Sequence, residues 1–352
     1  MAYKNWNKNL IKQQYDTVIA EYNRTGDKSL LFDIWPLEYL LNSEGEAINF
    51  QKHHDEKKQL KDNVTALYNK REYLQYISDF SEYKVSIEKL PKLTVYKLTP
   101  SILLSFVHDF YNSMPPIIKS KFNHAFKDRK NNFKLSDIRS DSFFLPYFKY
   151  SYINVKSQNT IEDFMNIVHE YGHAISDLIN PHLEDLFVYP FGELFPLLME
   201  LIACDYIEKH YELTEDVKLY RIYLWNTINH FCQYLMMETN LLSREYLQDF
   251  STNPIEGLAV ANKISLEEAN KAFNITTNEK LMYSIPFIAA VEFYYLNNRD
   301  PELFLCSLIE FLSLPAFSNY IGELEKRQIY LNQHGKDFVK KINADIKKVS
   351  IK

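Results

Sequence analysis

A mainly α-helical fold carrying one small β-sheet is predicted for this sequence, and three observations carry the prediction. Apolar residues recur at helical spacing along most of the chain. Only seven glycines occur in 352 residues, too few for a turn-dense β fold. A single run, 143–155, is dense in Phe, Tyr, Ile and Val and reads as strand. With 46% hydrophobic residues the chain can bury a large core, as one two-lobed unit or two small domains.

The elements follow from periodicity and breakers. Helical patterns run over 10–22, 29–42, 56–78 and 100–128, and Pro115-Pro116 breaks the last, with room for a helix to restart behind it. The polar stretch KLSDIRSDS interrupts the pattern near 136–141, the expected boundary between an N-terminal helical lobe, 1–140, and a second lobe, 141–352. Behind the strand run, Thr160 and Asp163 resemble a capping box, and Glu162 and Asp163 suit the positive end of a helix dipole. Ile161, Phe164, Met165, Val168, Ile175, Leu178 and Ile179 then recur at helical spacing until Asn180-Pro181 stops them. Further helices are expected over 216–248, after the capping box Ser265-x-x-Glu268, and over 279–296 and 300–312.

Within the capped helix lies His169-Glu170-Tyr171-Gly172-His173. Imidazoles four residues apart stack on one helical face, close enough to hold one metal ion. Glu170, about a quarter-turn away, can reach water beside that ion without ligating it, which is where a general base belongs.

A catalytic zinc takes three protein ligands and keeps one position open. The stretch after the motif offers Glu184, Asp185, Glu193, Glu200 and Asp205. Glu193 and Glu200 are seven residues apart, two turns along one face, among Leu194, Phe195, Leu197, Leu198, Met199, Leu201 and Ile202. Carboxylates in such surroundings need partners.

From about 145 to 206 the chain resembles the thimet oligopeptidase and oligopeptidase F family of zinc peptidases. The matching features are a strand at 152–155, a polar loop at 156–160, the HExGH helix, and two glutamates seven apart on the next helix. The resemblance implies a two-lobed, zincin-like helical peptidase, with 141–352 as its catalytic lobe and one Zn2+ per chain. It implies Glu193 as third ligand, as does the spacing in thermolysin-like enzymes, and Glu200 as the carboxylate orienting a ligating imidazole. Glycine at 172 matches the family and implies close packing of another element. The strand's counterpart in the family is an edge strand that pairs with substrate backbone, which nominates Tyr152, Ile153 and Asn154 for binding peptide. The family's tyrosine-rich C-terminal helix corresponds to LMYSIPFIAAVEFYYL, making Tyr283 the first oxyanion-stabilising candidate and Tyr294 or Tyr295 the alternatives. The family's preceding histidine is missing, since Thr276, Thr277 and Asn278 occupy that neighbourhood. Because 168 residues precede His169, fewer than in the family, a shortened member with a more open cleft is expected.

The expected activity is hydrolysis of short peptides, or maturation of one peptide precursor, by metal-activated water with Glu170 as base. The alternative is a non-catalytic peptide-binding or scaffold protein with a remnant metal site. An intact Glu170 speaks against it, because a remnant has no need of a base. A net charge of -6 and a pI near 6.0 disfavour nucleic acid as a partner. The basic cluster at 127–130 and the tail KKINADIKKVSIK read as solvated faces. Three cysteines without CxxC spacing imply no disulfide framework. The N-terminus has no apolar signal core and no run approaches a membrane span, so a cytoplasmic location is expected.

Overall fold

Caps and prolines begin the helices where the sequence supplies them. A computed structural model describes residues 6–43, 71–83, 91–95, 99–137, 140–180, 191–241, 254–275, 277–315 and 318–349. Helix α1 (Lys8–Thr25) starts under Asn7, whose side chain accepts from Leu10 N–H. It ends at Gly26 with φ +68°, a left-handed conformation that glycine adopts without steric cost. Then come α2 (Leu31–Ser43) and α3 (Arg71–Ser81). Residues 56–70 of the helix expected over 56–78 lie outside the described residues. Pro115-Pro116 divides 100–128 into α4 (Pro100–Asn112), capped by Thr99, and α5 (Pro116–Phe126). The helix does restart behind the prolines, with Pro116 at N1 where no N–H is needed.

A one-turn helix α6 (Arg129–Asn132) leads into β1 (Phe133–Ser136), which the sequence did not announce. The strand run is two strands, β2 (Asp141–Leu145) and β3 (Tyr150–Lys156), reversed through Pro146–Lys149. Sheet order is β1-β3-β2, with β1 parallel and β2 antiparallel to β3. Next are α7 (Ile161–Ile179) and α8 (Leu194–His210). They are followed by α9 (Thr214–Leu241), α10 (Pro254–Asn262), α11 (Leu266–Asn274), α12 (Thr277–Arg299) and α13 (Pro301–Leu312). Finally come α14 (Tyr320–Lys326) and α15 (Gly335–Val349). Residues 242–248 of the expected 216–248 helix lie outside the described set. Ser265 caps α11 as expected, accepting from Glu268 N–H at 3.1 Å.

Helix α7 is central: β2 and β3 pack on it, as do α4, α5 and α8, while α9 and α12 pack on α8. One hydrophobic core runs from Tyr73 to Val349 through these elements, drawing members from both sides of residue 140. A second cluster joins α1 and α2 to the other face of the sheet through Leu145 and Tyr152. The basic tail is a correction to the sequence reading. Phe338, Ile342, Asp345 and Val349 of α15 are buried at helical spacing, so one face of this lysine-rich helix belongs to the core. Among the described residues no helix is long and apolar enough to cross a membrane.

Asp33 of α2 is 1% exposed and accepts from Tyr147 N–H at 3.1 Å. Burial pushes its carboxyl up to about 7, against the smaller lowering effect of that hydrogen bond. Between the unfolded carboxyl's pKa of about 3.9 and 7, the folded chain retains a proton that the unfolded chain releases, so stability falls as pH rises. Asp33→Asn keeps an acceptor for Tyr147 and removes the ionisation. Its stability relative to the parent is expected to rise by roughly 2–3 kcal/mol between pH 5 and pH 8, at 1.36 kcal/mol per unit. Urea unfolding at both pH values checks this, and parallel pH dependences would reject it.

Candidate metal centre

The two histidines owe their position to how α7 is anchored at both ends. The Thr160 hydroxyl accepts from Glu162 N–H at 3.2 Å, one residue earlier than a capping box requires. Asp163 reaches back further than expected, to Gln158 N–H at 2.6 Å, Asn159 N–H at 3.0 Å and the Ser157 hydroxyl at 2.9 Å. The β3–α7 connection is thereby knitted to the first turn. At the other end Asn180 closes the helix, its side chain donating to the carbonyls of Leu312 and Leu314. In between, the buried Tyr111 hydroxyl donates to Val168 O at 2.6 Å, one residue before His169.

Helix α8 meets α7 at Gly172, where a Cβ atom would lie 2.8 Å from Pro196 Cα. Pro196 is the third residue of α8, in the turn whose N–H groups have no helical acceptor, so it does not interrupt the helix. Glu193, at the cap position, makes no side-chain cap bond and turns its carboxylate to α7 instead. Its Oε2 lies 3.1 Å from His169 Nε2 and 3.3 Å from His173 Nε2. The two imidazole rings stand edge to face with centroids 4.9 Å apart. Glu200, two turns further along α8, accepts from His169 Nδ1 through Oε1 and from the Tyr220 hydroxyl through Oε2.

A metal fits this arrangement. One ligand atom each from His169, His173 and Glu193 lies within 4.8 Å of the others. Glu193 Oε2 is buried with no partner in hydrogen-bonding alignment, although two imidazole nitrogens face it. With Nδ1–H of a neutral His169 donated to Glu200, Nε2 carries a lone pair, and two lone pairs facing each other call for a cation. Ligands at 2.0–2.1 Å around a tetrahedral centre are about 3.3 Å apart, close to the separations observed.

The electrostatics agree. Burial alone would raise the Glu193 carboxyl, but His173 and His169 outweigh it and hold it well below the usual carboxylate range. Burial opposes charge on both imidazoles, yet Glu193 and Glu200 raise His169 well above its ordinary value, and Glu193 raises His173. The site thus stabilises positive charge where the ligand atoms converge. Glu170, 5% exposed, is pushed up to about 7 by burial, with His169 and His173 lowering it and Glu193 and Asp141 raising it.

Other candidates fall elsewhere. Asp205 joins a polar cluster with Arg221, Lys341 and Tyr294, and Glu184 and Asp185 lie outside the described residues. Tyr294 donates to Asp205 and Tyr295 stacks on His334, whereas Tyr283 is half-buried with its ring 6.0 Å from Phe231. Thr276 is outside the described residues, as are the side chains of Thr277 and Asn278. The nomination of Tyr152, Ile153 and Asn154 is corrected. They lie on the central strand, where Ile153 and Asn154 pair with β1 and β2 together and Tyr152 pairs with Phe143. The Tyr152 hydroxyl is occupied by Gln14. With β1 added on the far side, these two doubly paired residues have no free backbone edge for a peptide. Tyr220 and Asp141 were missed. Both approach the site through tertiary packing, and nothing local marks either, least of all one tyrosine among 26.

The chain matches no family model and no curated protein by sequence. Its fold matches solved structures. A Bacillus anthracis str. Ames protein provisionally described as oligoendopeptidase F aligns at TM-score 0.55 and 14% identity, over 97% of this chain and 62% of that one. PZ peptidase A with an inhibitor aligns at 0.54 and 11%, over 97% and 69%. A Chlamydophila abortus protein provisionally described as a peptidase aligns at 0.51 and 14%, over 83% and 55%. The chain therefore has the mainly α fold with a small sheet found in oligoendopeptidase F-like peptidases. It spans 62% of the length of the Bacillus anthracis protein.

Proposed function

We propose that this protein is a zinc-dependent endopeptidase of short peptides. His169, His173 and Glu193 hold the ion, Glu170 is the general base, and Glu200 orients His169. The observation that carries this reading is the convergence of two Nε2 atoms and one buried carboxylate oxygen, with the buried Glu170 carboxylate in electrostatic reach of all three residues. Bound zinc supplies Lewis acidity, which makes water nucleophilic near neutral pH. Glu170 takes the proton of the attacking water and returns it to the leaving amine. Glu200 holds the Nδ1–H of His169, so that Nε2 keeps its lone pair for the ion. The resemblance nominates Tyr283 for the developing oxyanion. Peptide pairing is reassigned to β2, an edge strand packed on α7 whose Asp141 acts electrostatically on Glu170.

Elemental analysis together with a quenched-fluorescent peptide library tests the whole reading. About one zinc per chain is expected, with cleavage lost in chelator and restored by Zn2+. Stoichiometric zinc with no cleavage of any library member favours the non-catalytic peptide binder instead.

A further inference from the structure

We infer that Tyr220 of α9 is a positioning residue for the metal centre, acting through Glu200 on His169. The inference rests on the metal reading above and adds a residue from a third helix to it. Glu200 is 3% exposed, and each of its oxygens has one donor, His169 Nδ1 on Oε1 and the Tyr220 hydroxyl on Oε2. A buried carboxylate with one oxygen unsatisfied costs free energy, and it relieves that cost by turning towards another donor. Any such turn rotates the His169 ring, because Nδ1–H follows its acceptor. Tyr220 removes the incentive. Held in place, Glu200 keeps the proton of neutral His169 on Nδ1 and the lone pair of Nε2 aimed at Glu193 and His173.

Tyr220 suits this task because its own helix is pinned. The next residue, Arg221, is buried and pairs with Asp345 of α15 at 2.6 Å and with Glu208 and Asp205 of α8 at 3.0 and 3.3 Å. Arg221 therefore ties α9 to the helix that carries Glu200, one residue away from the hydroxyl in question. Burial, joined by the Glu200 charge, raises the phenol well above its ordinary pKa, so it remains a donor across the working range. Tyr111, equally buried, donates to Val168 O and so fixes the backbone of α7 rather than the ring of His169.

The test is a double-mutant cycle on the full chain, with zinc affinity read by competition with a chromogenic chelator. Tyr220→Phe is expected to weaken zinc binding by about 10-fold, within the range typical of residues supporting a ligand. Glu200→Ala should weaken it at least as much, and adding Tyr220→Phe to Glu200→Ala should cost little more, since the hydroxyl then has no acceptor at position 200 to hold. Cobalt in place of zinc supplies a spectroscopic signature. Tyr220→Phe should shift the visible bands of the Co2+ protein while leaving their intensity in the tetrahedral range, whereas a variant that fails to fold shows neither. Unchanged affinity and an unchanged cobalt spectrum in Tyr220→Phe, or fully additive losses in the double variant, overturn the inference. Absence of zinc binding in the parent chain instead overturns the metal reading itself.

Discussion

Replacing Glu170 with Gln is expected to leave zinc content at the parent level and to lower peptide hydrolysis by about 10²–10⁴-fold. The substitution keeps the shape and polarity of the side chain and removes only its ability to take a proton. Glu170 lies on the same helix as His169 and His173 and within their electrostatic reach, yet the converging ligand set is formed without it. Burial pushes its carboxyl up to about 7 in the metal-free chain, the direction that suits a group exchanging protons near neutral pH. Steady-state cleavage of a fluorogenic peptide and elemental analysis of the same preparation decide the matter. Substantial turnover in Glu170→Gln at full zinc content would falsify the base assignment, and parallel loss of zinc and turnover would make Glu170 a ligand.

The parts of this site that were legible in the sequence are those whose geometry is set within one helix. His169 and His173 share a face because four residues nearly complete a turn, and Glu193 and Glu200 share one because seven nearly complete two. Their burial was legible too, since carboxylates among leucines have to find partners. What the sequence withheld is pairing across elements. Whether 152–154 is an edge or a centre depends on β1, four residues that follow a helix with no alternation strong enough to announce them. Tyr220 lies in a helix that was expected, but its rotation about the axis, and hence its reach to Glu200, is fixed by Arg221 and carboxylates up to 124 positions away. The C-terminal tail is a different kind of miss. The spacing of Phe338, Ile342, Asp345 and Val349 was visible, and the density of lysine on the opposite face concealed it.

Gly172→Ala is expected to destabilise the fold and to weaken zinc binding, and the sign of the first effect makes it diagnostic. In an unencumbered helix interior, alanine is more stable than glycine by roughly 0.8–1.0 kcal/mol, so a glycine with nothing packed on it gives a stabilised variant. Here the new methyl would lie 2.8 Å from Pro196 Cα and 3.3 Å from Pro196 N and Cβ. The obstacle is mainly backbone, in a proline with no rotamer to yield, so α8 itself has to withdraw from α7. Overpacking of this kind costs about 1–3 kcal/mol, enough to reverse the propensity gain. Pro196 is three residues from Glu193, so the same withdrawal draws the Glu193 carboxylate away from both imidazoles. Displacements near 1 Å in such constellations lower catalytic rates by about 10²-fold, and zinc affinity should fall by at least about 10-fold alongside. Urea unfolding of the zinc-free chain and chelator competition on the folded chain separate the two effects. A Gly172→Ala chain that is more stable than the parent and binds zinc as tightly would mean that α7 and α8 do not approach here, and with them the third ligand would be lost from the site.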